Sequence, residues 1–230
     1  MIQILKKCLK SDLFKETFTI IVPIWAVFGI FILSVCLIFI PSFKNSLTDQ
    51  KKELIQSLTH SAVSLLSEYH ERVLSGELTV TQAKSRAKER IRYLRYGAEA
   101  KDYFWIIDRH PFMIMHPYCP DMEGRDLSSL SDEQNNFPFI DMVKTALNQE
   151  EGYVNYYWQW KDAPHKIVPK ISYVKLFDPW GWIVGTGLYV EDVQKEIRLL
   201  VNKINQVFMA VFLVIFALSI YITWQTIRIR

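Results

Sequence analysis

A chain of 230 residues, half of them apolar, holds one or two domains, and its formal charge of +3 is too small for a nucleic-acid-binding field. That charge sits at the ends: removing Lys6, Lys7, Lys10, Lys15, Arg228 and Arg230, with Asp12 and Glu16, from 27 basic and 24 acidic residues leaves 21 against 22. Three scattered cysteines, Cys8, Cys36 and Cys119, exclude a disulfide-stapled scaffold, so an apolar core has to hold the fold.

In chain order, the first feature is an uncharged run over 17–43, and a second such run covers 204–227. About 20 apolar residues rising 1.5 Å each cross a bilayer, and both runs reach that length. The lysines before the first run have the character of a signal-peptide n-region. The apolar stretch, however, exceeds the roughly 7 to 15 residues of a signal h-region, and no small-x-small pattern precedes Pro41. Both runs are therefore read as retained spans, with both termini in the cytoplasm by the positive-inside rule. The expected organisation is a cytoplasmic N-terminus (1–17), transmembrane helix (18–40), extracytoplasmic domain (41–203), transmembrane helix (204–227) and cytoplasmic end (228–230).

After the first span, Leu47, Leu54, Leu58, Ala62, Leu65, Tyr69 and Val73 form the stripe of an amphipathic helix over 44–75. Ser75-Gly76 breaks it. Thr79 or Thr81 caps a basic helix through QAKSRAKERIRYLRY, which Gly97 ends, and its arginines read as a solvated face. Short β-rich runs follow at 103–107 and 112–116, joined by Asp108-Arg109-His110-Pro111 as a hairpin. A polar loop over 117–136 leads to a short helix near 137–148 that Gly152 ends. Strands follow at 153–160, 170–177 and 182–190, the last two joined by Asp178-Pro179-Trp180-Gly181 with the preferences of a type I turn. The fold class is α+β, a five-stranded antiparallel sheet on a long N-terminal helix. Residues 191–203 read as helix running directly into the second span.

Four segments, DYFWIID (102–108), MIMHP (113–117), PKISYVKLF (169–177) and WGWIVGTGLYVEDV (180–193), resemble a single Cache domain of the second type, a resemblance covering about residues 45–198. It implies a PAS-like fold, periplasmic in bacteria and anchored in the inner membrane, that binds small organic ligands, often short carboxylates. It further implies signalling to a histidine kinase, chemotaxis or cyclic-dinucleotide output. Two departures stand out. Asp132-Glu133-Gln134-Asn135-Asn136 has no glycine where the family pattern often has Asn-Gly, and only six residues follow Trp224, so an output domain is expected on a longer chain or a separate partner.

Strand alternation puts Tyr103 with Trp105, Tyr156 with Trp158 and Trp160, and Lys170 with Ser172 opposite Tyr173; by their chemistry Tyr103, Trp105, Tyr156 and Trp158 could supply walls, and His116, Lys170 and Tyr173 donors for an anion. By the same count Met113 and Met115 share a face opposite Phe112, Ile114 and His116. Gly185 and Gly187 remove side chains from one face of the last strand, leaving room for a ligand or another backbone. Each residue also has a structural reading: strand aromatics as core, His116 as a satisfied buried imidazole, the glycines as a bulge. A carboxylate of four or five heavy atoms at up to ~1.5 kcal/mol per atom binds no tighter than about micromolar.

Two rival functions belong to other classes. A membrane-anchored hydrolase needs a catalytic set, but His60, His70, His110, His116 and His165 show no HExxH or metal spacing and no GxSxG is present, so neither enzyme activity nor a cofactor is expected. The alternative is a structural or assembly module without ligand. The expected partners are a small organic ligand, the membrane, a second copy of the chain in a homodimer and a cytoplasmic signalling domain.

Overall fold

The structure is a computed structural model that describes residues 12–228. Lys6, Lys7, Cys8, Lys10, Arg230 and the side chain of Lys15 lie outside the described residues. In order the elements are α1 (Asp12–Ser34), a π-helical turn (Val35–Phe39), α2 (Ile40–Leu74), α3 (Val80–Arg92), β1 (Arg95–Tyr96), β2 (Asp102–Asp108), β3 (Met113–Met115), α4 (Pro138–Gln149), β4 (Glu151–Trp160), β5 (Ala163–Phe177), β6 (Trp182–Tyr189) and α5 (Val190–Arg228). They form two compact units, one of residues 47–195 and one of the flanking segments up to 46 and from 196.

In the flanking unit, α1 with the π-helical turn and the start of α2 carries the first uncharged run and the latter part of α5 the second, and each lies in a helical stretch long and apolar enough to cross a membrane. Ile30, Leu37 and Ile38 are about two-thirds exposed, an apolar surface that water does not favour. Trp25 Nε1 donates to Ser219 Oγ at 3.2 Å, and that hydroxyl donates to the Ile215 carbonyl at 2.8 Å. Trp25 also packs edge-on against Phe212, with centroids 5.2 Å apart.

The 47–195 unit is built on an antiparallel sheet of order β1-β2-β6-β5-β4, with β3 pairing β2. Period-two alternation sends successive side chains to opposite faces, so each strand feeds two cores. One face carries Phe104, Ile106, Trp182, Val184 and Phe177 against Ala62, Val63, Leu66 and Tyr69 of α2 and Ala83, Ala87 and Ile91 of α3. The other carries Tyr103, Trp105, Ile107, Val154, Tyr156, Val174 and Ile183 against Phe139, Met142, Val143 and Ala146 of α4. A fully buried Leu66 or Ile91 contributes about 1.5–3 kcal/mol to this packing. The α2 stripe thus serves the chain's own sheet. Its centre runs through Ile55, Thr59, Ala62, Leu66 and Tyr69, one step round from the predicted line, which leaves Leu54 exposed.

The five predicted strands are present, with a sixth that the pattern hid. The basic helix stops at Arg92 rather than running to Gly97, because Arg95–Tyr96 pairs with Tyr103 and Asp102 on the free edge of β2. Thr79 is the cap, in a capping box with Gln82. The helix α4 ends at Glu150 (φ 66°) rather than Gly152, which lies in β4, where a Cβ would meet Thr145 Cγ2 at 2.6 Å. β5 begins at Ala163, seven residues before the predicted start, because its first half pairs with β4.

A register shift between Ile106 and Ile107 opposite β3 also corrects the face assignment there: Met113 joins the Trp105 side and Met115 the side of α2 and α3. In the glycine-free loop, Asn135 takes the left-handed conformation (φ 60°), and Asp132 accepts from the amides of Gln134, Asn136 and Tyr157, which pins the loop to β4.

Candidate functional site

Lys170 sits in the middle of β5, opposite Tyr156 of β4 on one side and Tyr189 of β6 on the other. Its side chain shares the α4-facing side of the sheet with Tyr103 and Trp105 of β2, and it is 2% exposed. The ammonium donates to Tyr103 Oη at 2.9 Å and lies 4.3 Å from the Tyr103 ring, 4.5 Å from Trp105 and 5.0 Å from Tyr189. Ring faces attract a cation, more so when it is desolvated, but they do not neutralise it. Among the described residues no carboxylate pairs with Lys170, and burial pulls its pKa down to about 7.

Lys161 in the same domain shows what compensation does. It is 4% exposed, yet its Nζ lies 3.0 Å from Asp192 and 3.7 Å from Asp102. Burial alone would lower its pKa, but the hydrogen bond to Asp192 and the charge of Asp102 outweigh it and the net shift is upward. One buried lysine is supplied with anions; the other is supplied with rings and hydroxyls.

Further polar groups surround Lys170. Tyr156 Oη and Ser172 Oγ share a hydrogen bond of 3.0 Å. Tyr189 Oη donates to the Gln159 carbonyl at 3.0 Å and reaches Tyr103 Oη at 3.4 Å. His116 Nδ1 accepts the amides of Tyr118 (3.2 Å) and Cys119 (2.9 Å), so its ring hydrogen sits on Nε2. Burial and the charge of Lys170 hold the His116 pKa well below its ordinary 6.5. Its own amide donates to Glu123, which α3 holds through a two-pronged bond from Arg92 at 2.6 and 2.9 Å. Arg92 thus has more than the solvated role expected for the arginines of the basic helix. Trp105 Nε1, finally, is buried with no acceptor among the described residues. An unsatisfied buried donor beside a buried cation that no carboxylate touches among the described residues, and that the charge of Asp102 offsets only in part, is a demand for a small acceptor bearing negative charge.

Of the eight residues predicted to touch ligand, the fold brings together Tyr103, Trp105, His116, Tyr156 and Lys170. Trp158 is half-buried at their margin, its ring 5.4 Å from Phe139 and 6.2 Å from His116. It also lines a surface depression of about 210 Å³ with Met122, Leu130, Asp132 and Gln159. Tyr173 is not brought in. Its neighbour parity sends it to the opposite face, where it accepts from Gln56 at 3.0 Å and packs on Tyr153. Gly187 is at the cluster, but the room it leaves is filled by the protein: a Cβ there would lie 2.4 Å from Ser172 Oγ and 2.8 Å from Lys170 Cε.

Sequence reasoning passed over Tyr189, although it has the same strand parity as Gly185 and Gly187. It also missed Lys161, Asp102 and Asp192, which no local pattern joins. Among the described residues no three His, Cys, Asp or Glu side chains converge as a metal site.

The family model described as single Cache domain 2 matches residues 47–202. Over 160 residues the chain is 39% identical to the methyl-accepting chemotaxis protein McpP of Pseudomonas putida, an overlap of 70% of this chain and 29% of that protein. It is 29% identical over 154 residues to the sensor histidine kinase MctS of Rhizobium johnstonii, covering 67% and 32%. The chain therefore spans about 30% of the length of these curated relatives. Two solved structures are similar. One is a Cache chemosensory domain described for its recognition of carboxylic acids (39% identity, TM-score 0.60, 64% of this chain and 97% of that chain). The other is a periplasmic sensor domain of a chemotaxis protein (36%, 0.59, 63% and 97%). The matched region is a sensor domain rather than a catalytic one.

Proposed function

Because the chain belongs to the single Cache domain 2 family, we propose that it is a transmembrane signal receptor whose domain over 47–202 lies outside the bacterial inner membrane and binds a short monocarboxylate. The observation that carries this reading is Lys170, a buried ammonium with no carboxylate partner among the described residues, set beside the unsatisfied Trp105 indole N–H. A single carboxylate would supply the counter-charge and the missing acceptor together. One cation also sets the class: a dicarboxylate would bring a second charge into the same dry site without a partner, at a cost of several kcal/mol. The carboxylic-acid recognition for which a similar solved domain is described supports the same class.

The two uncharged runs cross the membrane in this reading, with both termini cytoplasmic. A homodimer passes the signal to a cytoplasmic output. The test uses the full chain in lipid nanodiscs, screened by thermal shift against C2 to C6 organic acids and amino acids. At least one short monocarboxylate should raise the melting temperature, by an amount that grows with concentration. No shift with any of them would sink the ligand and favour the assembly-module alternative.

A path from the site to α5 accompanies the reading. Lys170 bonds Tyr103, whose hydroxyl meets Tyr189; Tyr189 Oη accepts the Lys161 amide at 3.0 Å, and Lys161 Nζ grips Asp192 in the first turn of α5. Lys166 pairs with the neighbouring Glu191. Residues 190–228 then run as one helix. Asp192→Asn is expected to leave carboxylate affinity within about threefold while abolishing any ligand-dependent change in cysteine crosslinking between copies along 204–227. A crosslinking response equal to wild type would remove Asp192 from the path.

A further inference from the structure

We propose that occupation of this site is coupled to the uptake of one proton by Lys170, so that at neutral and alkaline pH the domain responds to carboxylate and acidity together, in effect to the undissociated acid. The inference rests on the carboxylate reading and adds its regulation. It begins from geometry: the ammonium has one hydrogen bond, to a neutral phenol, and three ring faces, with no anion in contact among the described residues. A charge held this way is only marginally favoured over the free amine, and its pKa of about 7 agrees. An arriving carboxylate replaces the missing anion and restores the preference for the charged form. At alkaline pH the balance is one carboxylate anion and one proton in, with an ammonium–carboxylate pair formed and no bond broken.

The other groups around Lys170 do not share the change. Burial raises the pKa values of Tyr103, Tyr156 and Tyr189 and keeps all three phenols neutral. Cys119 is pushed up to about 11. His116, on the loop after β3, has its Nδ1 committed to two amides and stays neutral, pressed by Lys170 and by Arg92 and Arg95 on the α3 side. Asp102 at the start of β2 contacts Lys161, which also holds Asp192 of α5; burial raises the Asp102 pKa, and its charge offsets part of the effect of burial on Lys170. With a pKa of about 7, Lys170 changes charge between pH 6 and 9.

Linkage gives the sign. Below pH 7 the free site is already protonated and affinity is flat; above it each pH unit costs up to about tenfold, until the bound lysine itself titrates. At pH 8 binding should take up about 0.9 proton per site. Two measurements on the full chain in nanodiscs decide the matter. In the first, tryptophan absorbance and fluorescence of the free protein are followed from pH 5.5 to 9.5, reading Trp105 beside the ammonium. A transition near pH 7 that is absent in Lys170→Met and in Lys170→Gln is expected; a flat wild-type trace, or the same transition in both variants, overturns the proposal.

In the second, propionate is titrated calorimetrically at pH 6, 7, 8 and 9 in buffers of different ionisation enthalpy. Buffer-dependent heats at pH 8 and about tenfold weaker binding from pH 8 to 9 are expected. Binding with pH-independent affinity and heats unaffected by buffer overturns the proton coupling and leaves the carboxylate reading intact. No response at any pH to propionate or to any other short acid overturns both.

Discussion

Lys170→Met is expected to weaken short-carboxylate binding at least about 100-fold while leaving the domain as stable as wild type or more so. Hydrogen bonds from a charged donor are worth about 1.5–3 kcal/mol each, and breaking a buried ion pair by removing one partner costs about 3–5 kcal/mol, so a loss of about 2.7 kcal/mol in affinity is the conservative figure. Stability should move the other way. In the free protein the ammonium has no carboxylate partner among the described residues, and methionine offers a chain of similar length whose sulfur favours the faces of Tyr103, Trp105 and Tyr189.

The linkage is explicit. A lysine whose folded-state pKa is about 7 against an ordinary 10.5 binds fewer protons folded than unfolded between those values, so the wild type gains stability as pH rises across that window. The variant should lack that gain. Calorimetric titration at pH 6.5 and thermal melts from pH 6.5 to 9.5 measure both halves. Unchanged affinity would remove Lys170 as the anion partner, and strong destabilisation at pH 6.5 would mean that the ammonium has a structural partner.

Gly185→Ala should destabilise the domain by about 1–3 kcal/mol and weaken carboxylate binding more than tenfold. A Cβ at 185 would lie 2.5 Å from Cζ2 and 2.6 Å from Cε2 of Trp105, and 3.0 Å from its Nε1. The ring is 2% exposed and cannot step aside freely, since Tyr103 and Lys170 press on it. Adding Trp105→Phe should shrink the obstruction and recover much of the stability without restoring binding, because the indole N–H is gone. Chemical denaturation and calorimetry on the two variants give both quantities. A Gly185→Ala protein with wild-type melting and affinity would show that the tryptophan is not wedged against the strand.

Much of this was legible along the chain. The two uncharged runs, the α+β order, the strand segments and the Asp178–Gly181 turn follow from local chemistry: charge exclusion, periods of 3.6 and 2, and turn residues. Within the site, period two alone put Tyr103 and Trp105 on one face and Lys170 with Ser172 on another, and the fold superimposed those faces. The same parity had already separated Tyr173 from Lys170, so grouping them as donors gave chemistry precedence over geometry. β1 escaped because Arg95–Tyr96 is two residues long and polar, and its strand character comes only from the open edge of β2.

Charge exclusion and periodicity along the chain are enough to place apolar helices on either side of a mixed domain and to say which residues of each strand travel together. Three further points depend on packing between distant segments. The irregularity between Ile106 and Ile107 sent Met113 and Met115 to different cores. Gly185 and Gly187 came to make room for Trp105 and Lys170 rather than for a ligand. Of two buried lysines, Lys161 received carboxylates in contact and Lys170, among the described residues, did not. Each depends on what a distant strand or loop places within a few ångströms, and charge compensation and steric fit act over that distance through space, whatever the separation along the chain.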